Sequence, residues 1–309
     1  PGSACLPVYA ALLSSICKSG KPDEIEKLVA LMHEKGCILT INTYNTVVAE
    51  LCKERMPNEA RKVMLAMMKD GVSPDIFTYT TLIKGLCMIG RVESAQEVLN
   101  EMITNGCCPN TFCYNTLLNG LCETGCIANA ETLMQKMIQN GCTPDIVTCN
   151  IYVKALCKEG KPYEACIFLD QVEQFGCTPN SRTFIVLVSA LCDKMDFQKA
   201  LDLFNVVTSR GGKLDAICYE VMIRRFSEAN QLKQSEDLFN QMIDKGFLPN
   251  LHVYNSLIDC FCRNGCSSKA SSLFNFMIIN GCTPDINTHK AVDTVYRGRS
   301  HLTLFPSKE

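Results

Sequence analysis

Between residues 41 and 75 the apolar positions fall into two bursts. Tyr44, Val47, Val48 and Leu51 stand at i, i+3, i+4 and i+7, one face of a helix. Ala60, Val63, Met64 and Met67 repeat the spacing and predict a second helix. Breaker segments such as KSGKPD, KERMPN, MIGRVE and KEGKPY separate such pairs along the chain. The second helix of each pair ends at KDG, TNG, QNG or ING, where glycine suits a left-handed C-cap, and a proline three residues later blocks continuation.

This pattern recurs at a fixed period. GCTPD occurs at 141–145 and 281–285, and GCTPN at 176–180. Alignment on these pentads divides the chain into eight 35-residue units: 6–40, 41–75, 76–110, 111–145, 146–180, 181–215, 216–250 and 251–285. A short remnant, 1–5, precedes them; a partial ninth unit covers 286–297, and 298–309 forms an irregular tail. The thirty-first residue is glycine in all eight units, and the thirty-fourth is proline in all but two, Leu39 and Leu214. The fourth is Tyr9, Tyr44, Tyr79, Tyr114, Phe184, Tyr219 and Tyr254, with Cys149 the exception. Ala60, Ala95, Ala130, Ala165, Ala200 and Ala270 share one phase of the second helix, as close helix approach requires. A single helix pair cannot bury its apolar face alone, so neighbours must stack. The expected fold is all-α: a right-handed superhelical α-solenoid of about eight 35-residue helix–turn–helix repeats.

Cysteine usage first suggests other chemistry, because the 309-residue chain holds 21 cysteines. The chain is too long and too rich in helix formers for a small disulfide scaffold. Cys260, Cys262 and Cys266, or Cys122 and Cys126, look like fragments of a metal site, but no CxxC or HxxxH accompanies them, and no metal or cofactor is expected. Periodicity supplies a plainer account. Cys17, Cys52, Cys87, Cys122, Cys157, Cys192 and Cys262 share one phase of the first helix, and Cys37, Cys107, Cys142, Cys177 and Cys282 one phase after the glycine. Equivalent residues of stacked helices lie near ~10 Å apart, beyond disulfide reach. They read as small buried hydrophobes in a reducing compartment.

The longest apolar run, FIVLVSALC at 184–192, falls short of the ~18–20 residues of a membrane helix, so no membrane association is expected. The opening PGSACLPVYA has neither a signal-peptide nor a transit-peptide composition and reads either as an expression scar or as the edge of an excised fragment, so it carries no targeting information. Net charge is −2, which argues against a polycation that coats nucleic acid through phosphates alone. No Ser/His/Asp constellation, phosphate loop or carboxylate cluster suggests an enzyme.

Units 41–75 and 76–110 carry YNT-like starts, a GLC-like end to the first helix, an EA motif in the second helix and a G-x-x-P-[DN] close. In these features the chain resembles the pentatricopeptide repeat family, over about residues 6–297, and its uniform period resembles the P class. The resemblance implies single-stranded RNA binding, one base per repeat, in a plant mitochondrion or chloroplast. It also makes the fifth and last residues of each unit the base readers and the second residue a wedge between bases.

On that basis Asn45 with Asp75, Asn115 with Asp145 and Asn255 with Asp285 are uracil readers, Thr80 with Asn110 an adenine reader, and Asn150 with Asn180 a cytosine or uracil reader. Ala10 with Thr40, Ile185 with Asp215 and Glu220 with Asn250 specify no base, so the expected target reads N-U-A-U-C/U-N-N-U. The wedge positions are Asn42, Phe77, Phe112, Val147, Arg182, Ile217 and His252. Lys18, Lys53, Lys158 and Arg263 end the first helices, where they either reach phosphate or complement the helix dipole. The first thirteen residues of the eight units hold nine basic and six acidic side chains, a small positive bias. Stacked helix pairs also make a groove that suits peptides, so a protein-binding scaffold is the competing expectation, with self-association through solenoid ends compatible with either.

Overall fold

The computed structural model describes residues 39–173, 179–209 and 214–292, together with Ser15, Glu24, Lys27 and Leu31. Cys17, Lys18, Cys37, Cys177 and Ala10 lie outside the described residues. The chain divides into two compact units, Pro1–Ala155 with Gln174–Cys177, and Leu156–Glu173 with Thr178–Glu309.

The helices are α1 (Ile41–Lys53), α2 (Pro57–Lys69), α3 (Ile76–Met88), α4 (Val92–Thr104), α5 (Thr111–Glu123), α6 (Ile127–Gln139) and α7 (Ile146–Lys158). They continue as α8 (Pro162–Glu173), α9 (Ser181–Asp193), α10 (Phe197–Ser209), α11 (Ala216–Glu228), α12 (Leu232–Asp244), α13 (Leu251–Arg263) and α14 (Ser267–Ile279). Odd-numbered helices are the first helices of the repeats, and successive ones start 35 residues apart. No strand occurs among the described residues, and the fold class is an all-α repeat solenoid.

In the first unit α1 packs on α2 and on α3, and α3 on α4 and α5; in the second, α11 packs on α12 and on α9 and α13. The predicted apolar faces are the buried ones: Tyr44, Val47, Val48 and Leu51 on α1, and Ala60, Val63, Met64 and Met67 on α2. All six alanines of the small-residue phase are at most 2% exposed, and Ser235, fully buried, takes the same place on α12. Among the described residues the fourth-position tyrosines, Tyr44, Tyr79, Tyr114, Tyr219 and Tyr254, bury their rings, and three of them tie their repeat at the hydroxyl. Asn105 donates to Tyr79 Oη at 2.9 Å and Asn140 to Tyr114 Oη at 2.6 Å, while Tyr44 Oη donates to Asp70. Those partners stand at the C-cap of the second helix, so the bond sets the two helices of one repeat against each other.

Helix ends follow from local chemistry. Gly71 adopts φ +77°, its N–H donates to Met68 O at 3.1 Å and that of Val72 to Met67 O at 3.1 Å, a Schellman closure of α2. The first helices close by an equivalent turn whose left-handed residue is glycine at Gly90, Gly125, Gly160 and Gly265 but Arg55, Met195 and Asn230 elsewhere. At the other end, the last residue of most repeats caps the next first helix, whereas Thr40 makes no side-chain cap bond to α1. Asp75, Asn110, Asn180, Asp215 and Asn250 each accept from a backbone N–H three residues on.

The cysteines need one correction. Cys52, Cys122 and Cys192 are buried as expected, but Cys87, Cys157 and Cys262, expected buried at the same phase, are half-buried, all with free thiols. Cys107, Cys142 and Cys282, expected as buried hydrophobes, are only half-buried, because they follow the helix-closing glycine on the exposed connection to the next repeat. Burial pushes the thiols of Cys52, Cys87 and Cys122 up to about 12, which makes them poor nucleophiles. Among the described residues no cluster of His, Cys, Asp and Glu could hold a metal, and no helix is long and apolar enough to cross a membrane.

Candidate nucleic-acid interface

The predicted reader pairs lie where one repeat meets the next. The fifth residue sits on the second turn of a first helix, and the last residue caps the following first helix. In the first unit Asn45 Nδ2 donates to Asp75 Oδ1 at 3.3 Å and Asn115 Nδ2 to Asp145 Oδ1 at 3.0 Å. In the second unit Asn255 Nδ2 donates to Asp285 Oδ1 at 3.1 Å. Residues 30 apart in sequence are thus joined in all three pairs by the same bond. Asn45 and Asn115 are 7% and 6% exposed, so the amides are set into the wall, whereas the three carboxylates are only half-buried.

A third residue completes each pair, one that the family pattern of fifth and last positions does not include. Thr78, Thr148 and Thr288, third in the following repeats, bring their hydroxyls to 2.5, 2.7 and 2.6 Å from Oδ1 of Asn45, Asn115 and Asn255. The same threonines donate their backbone N–H to Asp75, Asp145 and Asp285 at 2.8 Å in each case. The D-x-x-T spacing of this capping box is a visible sequence signal. Burial pushes the Asp75 and Asp145 carboxyls up, but the hydrogen bonds from threonine and asparagine outweigh it and hold both below the ordinary carboxylate value. At Asp285 the Thr288 backbone and hydroxyl bonds lower the carboxyl, helped by Asn255. All three are anionic at neutral pH.

The other pairs differ. Thr80 is 5% exposed and its Oγ1 is buried without a hydrogen-bond partner, while Asn110 caps Cys113 N at 2.9 Å. Asn150 lies on α7 in the first unit, and Asn180 caps α9 in the second through a 3.0 Å bond from Thr183 N. Ile185 and Glu220 are half-buried and put no neutral polar group at the fifth position. Asn42, Phe77, Phe112, Val147, Arg182, Ile217 and His252 are all exposed. Phe112, at 68% exposure, is an aromatic that the fold itself leaves uncovered.

Two clefts flank these features. One of about 470 Å³ opens beside Asn255, with Ser256, Asp259, Arg263 and Lys290 in its wall. A larger one of about 570 Å³ lies against Phe239, Phe261 and Phe276 and contains no reader position.

The repeat motif is matched over nearly the whole chain. The model of the PPR repeat family matches residues 5–53, 39–88, 81–123, 109–158, 144–193, 214–263 and 249–292, and the model of the single PPR repeat matches 182–212. The chain belongs to the PPR repeat family. Among solved structures it is similar to the pentatricopeptide repeat protein PPR10 from maize, with a TM-score of 0.75 at 23% identity over 97% of this chain and 44% of that one. It is also similar to PPR10 in complex with an 18-nt psaJ RNA element, with a TM-score of 0.53 at 22% identity over 96% of this chain and 52% of that one. The chain therefore spans about half the length of the solved relatives it matches. No curated protein matches it.

Electrostatics along these PPR first helices are nearly balanced. Lys154 stands 3.3 Å from Glu123, Arg225 3.1 Å from Asp193, Arg263 2.9 Å from Asp259, and Lys53 3.9 Å from Glu50. Arg263 also donates to Ser227 O at 2.9 Å. Of the four phosphate candidates, Arg263 is therefore held by the protein and Lys53 extends into solvent beside Glu50. Lys158 ends α7, and Lys18 lies outside the described residues.

Proposed function

We propose that the chain binds single-stranded RNA and selects its sequence one base per repeat, in RNA metabolism of a plant mitochondrion or chloroplast. It acts as a binder, without catalysis of its own, and its 35-residue period fits the P class. The carrying observation is the Asn–Asp pair, formed with the same hydrogen bond at Asn45–Asp75, Asn115–Asp145 and Asn255–Asp285. Each pair places an amide N–H donor beside a carboxylate acceptor at a repeat boundary. Uracil offers the complementary set, an acceptor oxygen beside the N3–H donor. Exposed Phe77 and Phe112 offer stacking surfaces for neighbouring bases. With most groove cations already paired, binding is modest in affinity, and its salt slope is set by the few cations left free for phosphate.

The test is binding to RNA octamers of sequence NUAUYNNU and to shuffled controls at two salt concentrations. A clear preference for the designed sequence is expected; equal affinity for the shuffled RNA rejects base reading. A protein-binding role is the second reading, favoured by repeats 181–215 and 216–250. Ile185 and Glu220 occupy their fifth positions, and neither suits an RNA base. Absence of RNA binding near ~0.1 M salt supports this alternative.

A further inference from the structure

We infer that the third residue of the following repeat belongs to the reading group: Thr78, Thr148 and Thr288 are positioning residues that fix the polarity of the Asn45, Asn115 and Asn255 amides and thereby favour uracil over cytosine. The inference rests on the RNA-reading function proposed above. Its basis is a hydrogen-bond arrangement repeated in both units of the chain.

Each threonine is fully buried. Its oxygen accepts from the backbone N–H of Asp75, Asp145 or Asp285 at 3.2, 3.1 and 3.1 Å. Its hydroxyl has one proton and two acceptors in range. The amide oxygen is the nearer, at 2.5–2.7 Å, and the aspartate oxygen lies at 2.8–2.9 Å. At the shorter distance two bare lone pairs would repel, so the proton belongs to the amide. The asparagine is then held from both ends, its oxygen by threonine and its nitrogen by aspartate. A flipped amide would set oxygen against the carboxylate at about the 3.0 Å now spanned by the Asn115–Asp145 bond. The amide nitrogen is thus kept on the carboxylate side with one N–H left for a ligand, and the amide oxygen on the threonine side. Donor plus carboxylate matches uracil, with its acceptor oxygen on the amide and its N3–H on the carboxylate; cytosine in the same register sets its N3 lone pair against the carboxylate.

The sequence carries the same association. Asparagine stands at the fifth position of four repeats, and the third residue of the next repeat is threonine each time: Thr78, Thr148, Thr183 and Thr288. Thr80, Ile185 and Glu220 are followed by Cys113, Cys218 and Val253. Thr43 follows Ala10, and its hydroxyl lies 3.2 Å from Thr40 Oγ1 instead.

The test compares the full chain with Thr148→Val, which keeps the shape and removes the hydroxyl, and with Thr148→Ser, which restores it. Octamers carrying U or C at the base assigned to 111–145 give the ratio of affinities. The valine variant should lose roughly tenfold of its U-over-C preference, about 1.4 kcal/mol, at that base alone, and serine should recover it. Without RNA, the side-chain amide signals of ¹⁵N-labelled Asn115 should shift toward free-amide values in the valine variant and return in the serine variant. Unchanged amide signals overturn the inference, as does an unchanged ratio or an equal loss at all three uracil positions. Should the wild-type chain not distinguish U from C, the base-reading function fails, and the amide signals still decide the lock. Thr288→Val provides the same comparison in the last full repeat if Thr148→Val does not fold.

Discussion

Gly120 stands so close to Cys87 that a Cβ added at position 120 would lie 2.3 Å from the cysteine sulfur and 2.6 Å from its Cβ. Gly85 meets Cys52 in the same way, at 2.6 Å and 2.8 Å. In these two repeats the tenth residue thus seats on the twelfth residue of the repeat before it. Gly120→Ala should gain about 1 kcal/mol in helix propensity and lose more to overpacking, for a net loss of about 1–2 kcal/mol. Urea denaturation measures it. Cys87→Ala should not rescue the variant, since the Cβ of residue 87 is itself in the way; full rescue means the clash is misassigned.

A base preference should be transferable between repeats. Asn45→Thr with Asp75→Asn reproduces the Thr80–Asn110 pair and should move the preference at one base from U toward A. Thr78→Cys in addition, which copies Cys113 beside Thr80, should strengthen that shift, because the hydroxyl introduced at position 45 then has no competing threonine. Binding to octamers varied at that base alone reads the outcome. An unchanged base preference in both variants removes these residues from the reading group.

Charge removal in the groove should strengthen RNA binding. Glu123→Gln frees Lys154, now 3.3 Å from that carboxylate, and Asp259→Asn frees Arg263 from its 2.9 Å ion pair. Because exposed pairs are worth about 0–1 kcal/mol, folding stability should barely change. Affinity at low salt should rise several-fold, and the slope of log K against log salt should steepen by about 1 for each freed cation. A slope that stays constant in both variants means that neither cation reaches phosphate.

Acid should expose the role of the capped carboxylates. Burial raises the Asp145 carboxyl, but the hydrogen bonds from Thr148 and Asn115 outweigh it, so the group is lowered in the folded chain. Its contribution to stability is therefore complete above the unfolded value of about 3.9 and is lost as pH falls through the lower folded value. Asp145→Ala, which also removes a helix cap, should cost about 1–2 kcal/mol at pH 7. The difference from wild type should persist at pH 5 and shrink below about pH 4. Thermal or urea melts of both chains across that range provide the check, and a gap that widens in acid contradicts the assignment.

Much of this architecture is legible in the amino-acid sequence. The 3.6-residue periodicity marks Tyr44, Val47, Val48 and Leu51 as one buried face, and the recurring Gly-x-x-Pro marks the helix ends, because both are local signals. Pairing of the fifth and last residues is legible only through family resemblance, since their contact joins residues 30 apart. The threonine lock is hidden for a related reason. Thr148 reads locally as an ordinary capping-box residue, and only the stacking of one repeat on the next brings its hydroxyl to an amide 33 residues away. Cys107, Cys142 and Cys282 lie shallower than their periodicity suggests, because a shared phase shows that positions are equivalent, not how deeply they lie.

The capping role of the last residue has a consequence for how such a chain changes its target. Asp75, Asn110, Asn180, Asp215 and Asn250 must each begin a helix whatever else they do. Only a few side chains do that well: Asp, Asn, Ser and Thr. Under the proposed reading, the recognition alphabet at this position is thus limited in advance by folding. An Asp-to-Asn exchange keeps the helix start, but it also alters the bonds to the fifth-position asparagine and the third-position threonine, so a new specificity is reached by changing these residues together.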